Sequence, residues 1–115
     1  MHELPVTEKI YNTAMEQAKK NKACRINSIT IRMGEGCDYV PDIIQEYFQL
    51  FAEGTIADGA MIKADIIPTR IKCLECGKDY KKDLSMTSCP SCGSPRLRPL
   101  ISSDLTIESM EMEFE

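Results

Sequence analysis

Tryptophan is absent from this 115-residue chain, histidine occurs once, and aromatic residues make up only 6% of it. No stretch approaches the roughly 18 to 20 apolar residues that a membrane span needs. The first residues carry no basic segment followed by an apolar one, so no export signal is expected and the chain reads as cytoplasmic. A basic excess is missing as well, since 14 Lys and Arg stand against 18 Asp and Glu for a net charge of −4. A sequence-independent nucleic-acid binder needs a cationic face to displace counterions from phosphates, so nucleic acid is not an expected partner.

What is present is 43% apolar residues, enough for a modest core in one domain or one domain with a small satellite. From Pro5 to about Asn21, Ile10, Tyr11, Ala14, Met15 and Ala18 recur at helical spacing, and Lys19, Lys20 and Lys22 suit the C-terminal end of a helix. Ile29, Ile31 and Met33 then alternate with Ser28, Thr30 and Arg32, which predicts a strand stopping at Gly34. After the turn GEGCDYVPD, a stripe of Ile43, Ile44, Tyr47, Phe48, Leu50 and Phe51 predicts a second helix ending before Gly54. Its aromatic face is expected at the heart of the core.

A second strand is predicted where Ala60, Ile62, Ala64 and Ile66 alternate with Met61, Lys63 and Asp65, closed by Pro68. A third ends the chain, and there Leu105 and Ile107 share one alternation phase while Met110, Met112 and Phe114 share the other. Either a bulge near Glu108 and Ser109 or a change of packing environment accounts for that shift.

Between the second and third of these strands lies CLECGKDYKKDLSMTSCPSCG. Cys73 and Cys76 form one C-x-x-C pair followed by Gly77, and Cys89 and Cys92 form another followed by Gly93. Each pair can form a knuckle in which two thiolates face one metal ion and the glycine permits the turn. Two knuckles complete a tetrahedral sulfur site, and the polar linker between them suits a hairpin that brings them together. Zinc is the default occupant and would be structural, because four thiolates leave no open coordination position. Iron in an electron-transfer centre is the alternative occupant, and the absence of tryptophan weighs against it. Two disulfides are disfavoured in a reducing compartment. Cys24 and Cys37 lack such spacing and read as small, partly buried thiols, with an accessory role kept open for Cys37 in the glycine-rich turn.

The sole histidine, His2, sits beside the Met1 amine. That amine, the His2 amide nitrogen and the His2 imidazole can close fused rings around one ion, and the Glu3 amide can extend the plane. Four nitrogens in a plane suit Ni(II) or Cu(II), whereas zinc prefers a tetrahedron. All of these groups must shed their protons, so binding should weaken as pH falls. Pro5 has no amide proton to give up, so a planar site of this kind must close within Met1, His2, Glu3 and Leu4.

The MHEL start, the strand ending IRMGE, the segment FAEGTIADGA, the CxxCG and CPxCGS knuckles and the closing LTIESMEME together resemble the HypA/HybF family of nickel-insertion accessory proteins for nickel-iron hydrogenases. The resemblance runs over essentially the whole chain. It implies an α+β protein in which a three-stranded sheet and two helices form a nickel-binding domain over residues 1–69 and 100–115, with an inserted four-cysteine zinc-ribbon-like domain over 70–99. Nickel would be held by Met1, His2 and Glu3, and zinc by Cys73, Cys76, Cys89 and Cys92. The resemblance further implies a metallochaperone without catalysis of its own. With a partner GTPase it would pass Ni(II) to the hydrogenase large-subunit precursor, and some members serve urease. The turn GEGCDYVPD is variable in the family; Val40 stands mid-turn here, and the flanking Asp38 and Asp42 read as turn or helix-cap residues rather than ligands. The competing functional reading is a zinc-ribbon interaction module without nickel chemistry.

Overall fold

In the computed structural model, which describes residues 3–81, 83 and 85–115, two helices and six strands follow in the order α1, β1, α2, β2, β3, β4, β5, β6. They divide into two compact units. The first comprises Met1–Arg32, Asp38–Asp65 and Leu105–Glu115, and the second Met33–Cys37 and Ile66–Asp104. The second therefore takes in the glycine turn and reaches past residues 70–99 on both sides.

In the first unit, α1 spans Glu3–Lys20, with Glu3 in its first turn and Lys19 and Lys20 in its last, each complementing the helix dipole. Pro5 lies in the first turn, where its missing N–H removes no intrahelical bond, so the helix starts two residues earlier than its apolar pattern suggests. Thr7, Ile10, Ala14 and Ala18 form the buried stripe. The helix closes with the Ala23 amide donating to the Ala18 carbonyl at 2.9 Å and the Lys22 amide to the Lys19 carbonyl at 3.2 Å. This double bond pattern places Lys22 in the left-handed region at φ 58, where glycine is normally found. Lys22→Gly should therefore raise unfolding stability by roughly 0.5–1 kcal/mol, measured by chemical denaturation, because the relieved backbone strain exceeds the added chain entropy.

The second helix, α2, spans Pro41–Ala52. Ile44, Phe48 and Ala52 are fully buried along one face, and the Tyr11 ring meets Phe48 edge-on at 5.8 Å and stacks with Phe51 at 5.7 Å. Leu50 falls outside that stripe: it lies on the opposite side of the helix from Phe48 and is 71% exposed. The N-cap is Val40, whose side chain makes no cap bond, and Asp42 lies in the first turn. The Val40 amide donates to Glu3 Oε2 at 3.2 Å, which ties the start of α1 to the start of α2.

Two glutamines one turn apart on α2 brace the following loop. Gln45 Nε2 donates to the Ala60 carbonyl at 3.1 Å while its Oε1 accepts from the Ile62 amide at 2.6 Å. Gln49 Nε2 donates to Asp58 Oδ1 at 2.7 Å while its Oε1 accepts from the Gly59 amide at 2.9 Å. The sheet runs in the order β2–β1–β6, from Met61–Ile67, Arg25–Gly34 and Leu105–Glu113. Ile26, Ile29 and Ile31 of the central strand are fully buried in the core. Within β2 the apolar alternation holds only at its start, since Ile62 packs on the core while Ile66 is 47% exposed. Along β6, Glu108 and Ser109 are exposed in succession, yet Leu105, Ile107, Met110 and Met112 all pack on the same core. The alternation phase shifts across those two exposed residues, where the sequence places it. Among the described residues no helix is long and apolar enough to cross a membrane.

The second unit carries its own sheet, ordered β4–β3–β5, from Asp79–Lys81, Arg70–Cys73 and Leu97–Leu100, with both pairings antiparallel. The Met33–Cys37 segment is laced into this unit at both ends. Glu35 donates its amide to the Ile67 carbonyl at 2.8 Å, Gly36 to Ser102 at 2.8 Å and Gly34 to Asp104 at 2.9 Å. Glu35 Oε2 accepts from the Thr69 amide at 3.2 Å. A side-chain carbon at Gly34 would collide with the Ser102 carbonyl, so the close approach itself requires glycine.

Candidate metal centre

The four cysteines of the paired knuckles come together in the second unit. Cys73 ends β3 and Cys76 follows three residues later; Cys89 and Cys92 stand in the same relation just before β5. Each knuckle repeats one backbone pattern. The Gly77 amide donates to the Cys73 carbonyl at 3.0 Å and the Cys73 amide to the Lys78 carbonyl at 2.8 Å, while Gly93 donates to Cys89 and Cys89 to Ser94, both at 2.8 Å. Gly77 and Gly93 have φ of 80 and 76, which explains why each C-x-x-C is followed by glycine.

The four sulfur atoms all lie within 4.8 Å of one another, with Cys73–Cys92 and Cys76–Cys89 separations of 3.6 Å. All four are free thiols rather than disulfides. A tetrahedron built on metal–sulfur bonds of about 2.3 Å has edges near 3.8 Å, so the donor set fits an ion of zinc's size with no coordination position left over. Cys73 and Cys89 are buried, whereas Cys76 and Cys92 lie at the surface.

The thiols differ in acidity. A hydrogen bond from Tyr80, whose hydroxyl lies 3.2 Å from Cys89 Sγ, is the chief cause that lowers Cys89 to about 6. The same bond raises Tyr80 itself, which must keep its proton to donate it. Cys73 is lowered chiefly by the Cys76 amide. At Cys92 the Ser94 amide acts downward, but desolvation and bonds to the Cys73, Cys89 and Cys76 sulfurs that retain its proton push it up to about 12. An ion taken up by the four sulfurs must expel the proton that Cys92 holds. Uptake therefore weakens as pH falls.

Sequence reasoning missed Tyr80, which lies nine residues before Cys89 and reaches it only because β4 folds back along β3, pairing Tyr80 with Ile71. Its hydroxyl also lies 3.1 Å from Ser91 Oγ, to which Lys78 Nζ donates at 3.2 Å. Tyr80→Phe should weaken metal binding by about tenfold, read by competition with a chromophoric chelator, and should move uptake to higher pH, since outer partners of ligands contribute about 10–100-fold.

Of the residues expected to hold nickel, Met1 and His2 lie outside the described residues. Glu3 opens α1. Its side chain is engaged with Val40 and the residue is only 6% exposed. Cys24 is exposed rather than partly buried; its thiol donates to the Glu113 carbonyl at 3.3 Å. Cys37 donates to the Ser103 carbonyl at 2.8 Å, so its thiol helps hold the laced turn.

A family model described as "Hydrogenase/urease nickel incorporation, metallochaperone, hypA" matches residues 1–112 of the chain. Among curated proteins, the hydrogenase maturation factor HypA of Dehalococcoides mccartyi (strain CBDB1) is 30% identical over 115 residues, covering 100% of this chain and 97% of that one. The HypA of Aquifex aeolicus is 28% identical over 115 residues, with both chains fully covered. Among solved structures, the Ni metallochaperone HypA from Helicobacter pylori is similar in fold, with a TM-score of 0.64 at 23% identity and 98% of each chain covered. A second HypA solution structure gives 0.74 at 24% identity, covering 100% of this chain and 98% of that one. The matched length, the four-cysteine cluster and the mixed α/β architecture agree, and this chain belongs to the HypA family of hydrogenase/urease nickel-incorporation metallochaperones.

Proposed function

We propose that this chain carries Ni(II) at its N-terminus and hands it, with a partner GTPase, to the large-subunit precursor of nickel-iron hydrogenase, with urease as the alternative client. The observation that carries the reading is the family match, which runs from residue 1 and so includes the Met-His-Glu start. Nickel is cargo here. The Met1 amine, the His2 amide and imidazole nitrogens and the Glu3 amide would form its plane, and Cys73, Cys76, Cys89 and Cys92 would hold a resident zinc ion.

Charge supports the amide nitrogens as ligands. The start of α1 presents the positive end of a helix dipole, which disfavours a bare dication. Two deprotonated amides offset the two charges of Ni(II), so a planar four-nitrogen complex is neutral and meets no such penalty. Pro5 denies the plane any further amide.

Delivery needs no bond-making by this chain: it requires selective uptake and timely release. A planar nitrogen set selects by shape against tetrahedral zinc, and protonation of amine or amide lets go of the ion. Calorimetric titration of the zinc-loaded chain should find one nickel per chain, and His2→Ala should find none with zinc content unchanged. Equal affinity in the variant would overturn the reading.

A further inference from the structure

The register of the small sheet sorts its side chains by charge. Residues directly opposite one another in antiparallel strands share a face. Arg70 stands opposite Lys81 and Leu100, and Lys72 opposite Asp79 and Arg98, so Arg70, Lys72, Lys81 and Arg98 all occupy one face. Ile71, Cys73, Tyr80, Pro99 and Leu97 occupy the other, the side from which Tyr80 and Cys73 serve the sulfur cluster.

This arrangement breaks a local rule twice over. Arg70 against Lys81 and Lys72 against Arg98 are like-charge cross-strand pairs, which destabilise a sheet. Asp79 is the single acidic residue among them, and its carboxylate turns diagonally to Arg70 at 3.4 Å. Among the described residues Lys72, Lys81 and Arg98 have no ion-pair partner, and all three are exposed. Protection of sheet edges against aggregation explains lysine on β4 or arginine on β5, but not the two cations on the central strand. The thiolate charge on the other face does not explain them either, since exposed heads of long side chains are screened from it by water.

We propose that this face is a docking surface for an extended acidic segment of a partner protein. Cations two residues apart on a strand are separated by about 6.8 Å, and cross-strand neighbours by about 5 Å. Carboxylates on alternate residues of an extended peptide repeat at that same spacing. Leu100, on the same face and 40% exposed, offers an apolar contact beside the charges. A nucleic acid fits less well: among the described residues no aromatic side chain lies on this face to stack a base, and the chain's net charge of −4 repels a polyanion running beyond the patch.

The test uses the full zinc-loaded chain and a fluorescent octapeptide of alternating glutamate and threonine, followed by polarisation at low salt. Binding should weaken at least about fivefold in the double variant Lys72→Gln with Arg98→Gln and weaken further with added salt. The double variant Lys19→Gln with Lys20→Gln removes the same charge from α1 and should leave binding intact. Zinc content and nickel affinity should match the parent in both, which separates this surface from nickel carriage. No binding of the octapeptide, an undiminished affinity in the sheet variant, or equal affinity for a glutamine-threonine octapeptide would overturn the proposal. Tighter binding of an eight-residue oligothymidylate than of the acidic peptide would overturn it in favour of nucleic acid.

Discussion

A chain acetylated at the Met1 amine should lose nickel affinity by more than about 100-fold while every side chain, His2 included, is kept. Acetylation turns the Met1 amine into an amide with no basic lone pair and so removes one ligand from the chelate. Changes to outer partners of a metal ligand already bring losses of about 10–100-fold, and removal of a ligating atom exceeds them. His2→Ala should be as damaging. In the native-start chain, affinity should fall as pH drops below the range of about 7.7–8.0 where free α-amines titrate, since the protonated amine cannot bind. Calorimetry across that range checks both claims. An acetylated chain that still binds one nickel tightly would move the site away from the terminus.

Stripping the metal from the cysteine cluster, or making Cys89→Ala, should unfold the second unit and spare the first. Between Ile66 and Asp104 the buried residues among those described are Thr69, Cys73 and Cys89, so two of the four clustered cysteines stand where a core would be. Binding of structural zinc contributes on the order of 10–16 kcal/mol in small peptides at neutral pH, far more than three short strands can supply unaided. The first unit has an apolar core of its own, in which Ile26, Ile29, Ile31, Ile44 and Phe48 are fully buried. Amide spectra of the stripped protein should thus show residues 69–104 collapsing to narrow dispersion while Ile29 and Phe48 hold their shifts. Restoring zinc should restore the spectrum of the parent chain but not that of Cys89→Ala.

The elements that the sequence declared plainly are those long enough to show a period. Both helices and the strands at Ile29–Met33 and Leu105–Met112 recur through at least two cycles, and they stand in the structure close to where the pattern puts them. The helix at Ile43–Phe51 shows the limit: Leu50 is as apolar as its neighbours, and only the rotation per residue sends it to solvent. The strands Arg70–Cys73, Asp79–Lys81 and Leu97–Leu100 are too short and too charged to carry a period, and their pairing is set by the knuckles that flank them. The sulfur site was legible because C-x-x-C-G encodes a local turn. Tyr80 and the Glu3 carboxylate were not, because each acts on a partner reached only by folding, the latter 37 residues away.

The order of strands in the larger sheet also governs when it can be completed. Its central strand, Arg25–Gly34, needs Leu105–Glu113 as one of its two neighbours, and that strand is synthesised only after the whole intervening segment. At a synthesis rate of about 5–20 residues per second, the intervening segment delays it by a few seconds. For that interval one edge of the central strand is bare, and the cysteine pairs have already been made. A nascent chain starved of zinc would thus hold both a bare edge and an unfolded insert at once, so cellular zinc supply during translation should govern how much nickel carrier survives to be loaded.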